Sequence, residues 1–496
     1  MKQVPPGRRR SQDPSCNHGV ALIDSYDEIR YPNIPRNQSH PAYISALASI
    51  AGLTLDPVER WRVLEVGCGD GCNILPLAFD YPEGHFVGVD RARETIDSGR
   101  KLAVAGRLPN IEFHTADLLE WKPPGEFDYI IAHGVFSWVP PEVREKILQI
   151  CGDCLSAKGV AFVSYNAFPG SHFRRFAWDV LKFHTRRHTD SAARIESARE
   201  MALLISNHPG EEPFGSAIRK EMETILRRDK TALFHDDLAD PNVPFYLLDF
   251  VAQAERHGLQ YLADADPERD NVGGLPFQVD DWLEARQYGD FFARRRFRET
   301  ILCRREIPLD RRLSLDRFRN LFVASRAKPA QQQEDGKQRF DLFPSGNLTT
   351  NHPLGKELLR TLSSLWPRSM QLSEFPLDSY RADTTADLLM SLIRSGALEL
   401  RTSPPRMSES ISQRPMASAL ARLQIAEGYQ RVTSQRHQAL EMSDEIGRRL
   451  LCLLDGNHDR QSIARSLREF GIDAGAIDSG LEESLQEFYR LCLLVE

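Results

Sequence analysis

The stretch WRVLEVGCGDGCNILPLAF (61–79), with HFVGVD (85–90) behind it, decides how this chain folds. WRVLEV (61–66) is short, apolar and rich in β-branched residues, the signature of a buried strand. GCGDG follows at once and hands over to NILPLAF, whose apolar spacing is helical. HFVGVD is a second strand that ends in an acid. Working outward, a helix is expected from about 93 to 106, then a third strand, IEFHTAD (111–117), also ending in an acid. FDYIIAHG (127–134) reads as a fourth strand, REKILQICGDCL (144–155) as a helix and GVAFVSYN (159–166) as a fifth strand. Strands alternating with helices specify parallel βαβ units and a doubly wound α/β sheet, whose ligands bind outside the carboxyl ends of the strands.

The loop after the first strand carries the first chemical signal. Glu65 opens an E-x-G-x-G-x-G run through Gly67, Gly69 and Gly71. Glycines there let the backbone turn sharply and approach a ligand, and the following helix N-terminus suits a pyrophosphate. A nicotinamide dinucleotide is therefore the first competitor. The spacing is not G-x-G-x-x-G, however, and an acid at the strand end repels a pyrophosphate while suiting the ammonium of an amino acid. Asp90, 23 residues after Gly67, can accept hydrogen bonds from both hydroxyls of a ribose, and Asp117 can accept from an adenine amino group. A ligand with a ribose, an adenine and an amino-acid end, but no phosphates, is S-adenosylmethionine. The plain alternative is that Glu65 and Asp117 are strand-end acids that cap helices.

Composition narrows the classes. The chain has 496 residues, 41% hydrophobic and 27% charged, with 63 basic and 70 acidic side chains and a net charge of −7. These values exclude a collagen-like, wholly disordered or disulfide-dense protein, and nothing global attracts nucleic acid or an anionic membrane. No apolar run approaches the roughly 20 residues of a membrane span, and MKQVPPGRRR has no apolar stretch behind its charges. A cytoplasmic protein is expected, without membrane insertion or nucleic-acid binding. Of the eight cysteines, Cys151 and Cys154 form a C-x-x-C with no second ligand pair, so they read as packing thiols and no metal is expected.

Seven segments are expected: a disordered tail (1–19), a ligand-binding α/β domain (20–175), a largely helical, Arg-rich region with room for a dimer interface (176–324), a Gln-rich linker (325–340), a small module (341–400), a Pro- and Ser-rich linker (401–416) and a helical C-terminal module (417–496). Residues 286–319 hold 11 Arg and 5 acids, with Phe291, Phe292, Phe297, Ile301 and Leu302 interleaved as one face of an amphipathic helix. Residues 437–496 carry 12 acids against 6 Arg, which disfavours phosphate binding. Ile446, Leu450, Leu453, Leu454, Ile463 and Leu467 suit a small separate core, so truncation near Arg406 should leave a folded, cofactor-binding remainder.

VLEVGCGDG, FVGVD and TAD together resemble the class I S-adenosylmethionine-dependent methyltransferases. More specific segments resemble those members that carry a methyltransferase regulatory domain, the rickettsial outer-membrane-protein lysine methyltransferases among them: YDEIRYPNIPRNQSHP (26–41), VSYNAFPGSH (163–172), LFHDDL (233–238) and QYGDFFARRRFRETILC (287–303). LLCLLDGNHDRQSIARSL (450–467) resembles their winged-helix-like C-terminal module. Ser171 stands where relatives often have tryptophan, removing an aromatic near the acceptor. The resemblance implies a Rossmann-like domain, a protein substrate and lysine as acceptor. A small metabolite or modified peptide as acceptor, or a cofactor-binding regulator without transfer activity, are the alternatives.

For the cofactor the resemblance implies Glu65, Gly67, Cys68, Gly69, Gly71, Asp90, Asp117, Leu118 and His133. Gln38 and His40 either cap the helix that starts near residue 42 or contact the methionine end. Lysine must lose its proton before it can attack, and an aromatic pocket favours the neutral amine while tolerating the cationic product. Tyr26, Tyr31, Trp138 and Tyr165 are the candidate pocket aromatics, and Asn166 a candidate for orienting the amine; Trp138 and Tyr165 also read as core residues.

Overall fold

The structure is a computed structural model that describes residues 29, 31, 33–55, 60–208, 212–267, 275, 277–332 and 336–495. The expected tail and Tyr26 lie outside these. The five expected strands form: β1 (Arg62–Val66), β2 (His85–Asp90), β3 (Ile111–Thr115), β4 (Phe127–Ala132) and β5 (Leu155–Asn166). Their pairings with one another are all parallel, as the intervening helices demand. With β6 (Leu259–Asp264) and β7 (Phe297–Arg304) added, the sheet order is β3-β2-β1-β4-β5-β7-β6, so the chain reverses its direction of winding between β1 and β4. That switch point, where the loops after the two strands diverge, is where a crevice opens.

The two remaining strands correct the sequence reading. Phe297–Arg304 is not the continuation of a helix but strand β7, antiparallel between β5 and β6 (Leu259–Asp264). The helix ends at Ala293, leaving Phe291 and Phe292 exposed, whereas Ile301 and Leu302 are buried in the sheet. Arg298 explains why a basic segment enters the interior. It is fully buried, donating from Nε and Nη2 to Asp290 and from Nη1 to Asp264, at 2.7–2.8 Å. Arg295 adds a 2.6 Å pair to Asp264. Helical periodicity could not reveal arginines whose charges are consumed by acids 8 and 34 residues away. The α/β domain therefore does not stop at residue 175, because the region read as helical supplies two of its strands.

Among the described residues, both linkers carry ordered structure. Lys328–Gln332, Gln338–Asp341 and Asn347–Thr350 form a three-stranded sheet. One hydrophobic core runs from Tyr43 and Trp61 through Phe318 to Leu358 and Leu389, joining residues 341–400 to the helix Pro41–Ile50 beneath the sheet. Thr402 donates its backbone N–H to Ala42 O at 3.0 Å, fastening the second stretch. The C-terminal module has helices at Ala419–Ala426, Glu445–Leu453, Arg460–Glu469 and Ala474–Arg490, with a hairpin of Arg431–Thr433 and Ala439–Glu441. Leu450, Leu454, Ile463 and Leu467 fill its core, with Leu453 packed at the margin. Ile446, expected inside, is 46% exposed because it falls in the first helical turn. The module is also not detached from the rest of the chain. Its hairpin turn, Ser434–His437, is buried against the rest of the chain, so cutting near Arg406 would uncover that contact. Among the described residues no helix is long and apolar enough to cross a membrane.

Candidate active site

The loop after β1 is shaped by its glycines. Gly67 and Gly69 have φ of +70° and +56°, the left-handed region that side chains disfavour. A Cβ on Gly67 would sit 2.2 Å from Val135 Cγ2, and one on Gly69 2.2 Å from Asn33 Nδ2. Gly67 and Cys68 donate backbone N–H groups to Val89 O at 2.8 and 3.2 Å, which holds the loop against the end of β2. There Asp90 accepts from Gly69 N through Oδ2 and from Ala92 N through Oδ1, both at 2.9 Å. Burial raises the Asp90 pKa above the usual carboxylate range, against the lowering effect of these backbone donors.

A cavity of about 460 Å³ opens beside this loop, in the usual range for small-ligand sites. Gly67, Gly69, Asp90, Asp117, Leu118 and His133 line it, and Tyr31 and Trp138 belong to the same wall. Eight of the sixteen sequence-derived residues therefore meet in one place. Asp117 accepts Leu119 N at 3.0 Å through Oδ1, so it caps its own turn and still faces the cavity. His133 Nδ1 and Trp138 Nε1 are buried without a hydrogen-bond partner in the protein. Burial pushes His133 down to about 3, so its ring is neutral. A carboxylate, unsatisfied ring nitrogens and apolar wall residues such as Val89 and Leu118 fit a ligand that carries hydroxyls, an amino group and a flat heterocycle. These features fit S-adenosylmethionine: the glycine loop has no room for added side chains, and the cavity wall carries the unpartnered ring nitrogens of His133 and Trp138. Among the described residues no cluster of three or more His, Cys, Asp or Glu is placed to hold a metal.

The other candidates lie elsewhere. Tyr165 is fully buried, stacked on Phe250 with ring centroids 4.2 Å apart and bonded to Thr300 Oγ1 at 3.0 Å. It is a core residue, because the odd-numbered positions of β5, Ala161, Val163 and Tyr165, pack with the helix Leu247–Glu255 and not against the cavity. Asn166 donates to Asn242 Oδ1 at 2.8 Å and receives its place from Ser137, so it ties loops together outside the cavity wall. His40 is an N-cap, accepting Ala42 N at 3.1 Å, and Gln38 lies in the short turn Asn37–Ser39 before it; neither lines the cavity. Cys68 and Gly71 face the sheet side of the loop, toward Gly88 and Phe113. Glu65 sits one layer behind the loop. It is buried, accepts from Asn73 Nδ2 at 2.8 Å through Oε1, and has no partner for Oε2. Burial raises it to about 8, offset in part by the Asn73 hydrogen bond.

His235 and Asp236 complete the wall, and the sequence reading did not assign them a role. They lie in a five-residue π turn, Leu233–Asp237, a backbone form concentrated at functional sites. Its wide turn presents both side chains beside Tyr31. His235 Nε2 contacts Ile29 O at 2.6 Å, and the His235 ring meets the Tyr31 edge with centroids 5.6 Å apart. Burial, and then the neighbouring charge of Asp237, raise Asp236 to about 6. Tyr31, raised to about 12 by burial, keeps its proton and donates it toward Asp236. The quoted LFHDDL segment was the available signal, but a π turn has no sequence period of its own.

Comparison with known proteins agrees with this geometry. Residues 63–159 match the family described as methyltransferase domain, residues 229–304 the predicted methyltransferase regulatory domain, and residues 413–487 the PKMT C-terminal winged helix domain. The π turn with His235 and Asp236 lies inside the second match. An uncharacterized protein of Rickettsia prowazekii, RP789, is 34% identical over 363 residues; the alignment covers 69% of this chain, which spans 66% of that relative. A second R. prowazekii protein, RP028, is 29% identical over 48% of this chain and 96% of its own length. The structure of PKMT2 from Rickettsia typhi in complex with AdoHcy superposes with a TM-score of 0.83 at 25% identity, covering 94% of this chain and 100% of that one. AdoHcy is what remains of S-adenosylmethionine once its methyl group has left. The chain belongs to the S-adenosylmethionine-dependent methyltransferases, among those that carry the methyltransferase regulatory domain and the PKMT C-terminal winged helix domain.

Proposed function

We propose that this methyltransferase acts on the side-chain amine of lysine in a protein. The observation that carries the reading is the pairing of Asp236, in the regulatory domain, with Tyr31 in the wall of the cavity that the cofactor loop also lines. An anionic carboxylate beside aromatic rings is what a cationic amine needs on arrival. A neutral metabolite or a carboxylic acid has no use for it. Arg91, Leu119 and Glu142 are exposed and belong to the same wall, so the mouth meets solvent and a side chain can enter from a larger molecule. The likeness to PKMT2 over nearly the whole chain supports the same acceptor class.

S-adenosylmethionine supplies an electrophilic methyl on a sulfonium, and the reaction is an in-line displacement, so alignment dominates. Asp90 and Asp117 would hold the nucleoside end, with Gly67 and Gly69 leaving room for it beside the loop. Asp236, ionised above about pH 6, accepts hydrogen bonds from the arriving ammonium. The Tyr31 and Trp138 rings exclude water, which favours the neutral amine, and the proton leaves to water at the mouth. The same rings accommodate the methylated cation by cation–π contact.

Asp236→Asn tests this directly with a lysine peptide as acceptor. The variant should raise the acceptor KM at least tenfold and leave the S-adenosylmethionine Kd within twofold. Wild-type kcat/KM for the peptide should fall as pH drops through about 6 and the carboxylate protonates, and the variant should lack that limb. An unchanged acceptor KM would contradict the assignment.

A further inference from the structure

The hairpin of a winged helix is ordinarily its exposed wing, yet here the turn between Arg431–Thr433 and Ala439–Glu441 is among the most buried polar segments of the chain. Ser434, Gln435, Arg436 and His437 are 4%, 6%, 2% and 2% exposed. Arg436 is anchored by Glu399 Oε2 and Pro367 O, each at 2.8 Å. His437, at the tip, has φ +60° and reaches into the methyltransferase domain, where its Nε2 lies 2.9 Å from Asn73 Oδ1. Burial, and then the charge of Arg401, push His437 down to about 3, so the ring is neutral and Nε2–H donates.

Asn73 is the junction. Its Oδ1 also accepts the backbone N–H of Arg36 at 2.9 Å and the Ser39 hydroxyl at 3.2 Å, while its Nδ2 donates to Glu65. The two N–H donors fix the amide's orientation, and with it the carboxylate behind the glycine loop, while the Ser39 proton is shared with Arg36 O at 2.9 Å. The segment 33–40 is therefore strapped down at both ends. Asn33 Nδ2 donates to Asp70 Oδ1 at 3.1 Å, and Asn37 Oδ1 accepts from Arg401 at 2.5 Å. Asn33, Ile34 and Arg36 of this strap line the cofactor cavity. His40 packs edge-on against His437, with centroids 5.1 Å apart.

We propose that the C-terminal wing is a strut for the cofactor site: His437 is a positioning residue that, through Asn73, holds the strap 33–40 and Glu65 against the glycine loop, so that affinity for S-adenosylmethionine depends on the C-terminal module. Coupling of this kind is reciprocal, because a wing that stabilises the bound state is itself stabilised by the ligand.

His437→Gly in the full chain isolates the ring, since glycine adopts φ +60° without strain. Calorimetry should show S-adenosylmethionine binding at least fivefold weaker, as the loss of one buried hydrogen bond implies. The lysine-peptide KM at saturating cofactor should stay within twofold, a split that general destabilisation would not produce. A folded variant with cofactor affinity within twofold of wild type overturns the proposal. Wild-type hydrogen exchange decides the matter if that variant does not fold. Adding S-adenosylmethionine should slow the amides of residues 434–438 along with Gly69. Slowing at Gly69 with none in the wing overturns the strut.

Discussion

Asp90 holds the loop and lines the cavity at once, and Asp90→Asn separates the two roles. In the native chain each carboxylate oxygen accepts one backbone N–H at 2.9 Å, from Gly69 and from Ala92. Asparagine keeps one acceptor and turns an NH₂ toward the other N–H, so one charge-assisted hydrogen bond is lost and a buried donor is left facing a donor. The loss in folding stability should be about 1.5–3 kcal/mol. The ligand's ribose hydroxyls then meet a neutral amide in place of a carboxylate, costing a further ~1–3 kcal/mol of binding, or roughly 5- to 150-fold in Kd. Thermal unfolding without ligand reads the first number, and calorimetry with S-adenosylmethionine, at a temperature where the variant is folded, reads the second. A lowered midpoint with unchanged Kd would reduce Asp90 to a loop brace and remove it from the ligand contacts. An unchanged midpoint would mean that the two backbone bonds do not hold the loop.

Two further outcomes follow from buried charge. Arg298→Met should destabilise the chain by about 3–5 kcal/mol, because Asp264 and Asp290 lose the guanidinium that neutralises them in the interior; chemical denaturation measures it, and a loss under 1 kcal/mol contradicts the assignment. The ligand-free protein should also lose stability as pH rises from about 6.5 to 8.5. Burial raises the carboxyls of Glu65, Asp80 and Glu299 to about 8, 7 and 8, so the folded state binds more protons than the unfolded chain across that window, and their contribution disappears as pH climbs through these values. Below pH 6.5 the buried His133 and His437, both near 3, act in the opposite sense. A melting temperature that rises between pH 6.5 and 8.5 would contradict this.

The parallel half of the sheet was legible because each of its strands is a continuous apolar run beside a helix of clear period. Gly67, Gly69, Asp90 and Asp117 were legible because strand ends and glycine turns mark ligand loops in sequence. Tyr165 shows the limit. A tyrosine near the end of a strand points either into a site or into the core, and only the pairing of β5 with β7, in which Tyr165 stands opposite Arg298, decides which. Arg298 shows another. Its neighbours scored as a basic helix, while its partners Asp264 and Asp290 come from different elements. His437 was invisible for the same reason, since its acceptor is 364 residues distant. Local pattern reports which face an element buries, and not what a charged or polar side chain will find once it is inside.

The most direct test of the account is the chemical fate of the methyl group. Purified protein should be incubated with S-adenosylmethionine carrying a labelled methyl and a lysate of its own organism, and the labelled protein fraction hydrolysed to amino acids. The account predicts label in protein, recovered as N-methylated lysine, and its loss in the Asp236→Asn variant at unchanged cofactor affinity. Label confined to small molecules, or recovered on any residue other than lysine, would contradict it.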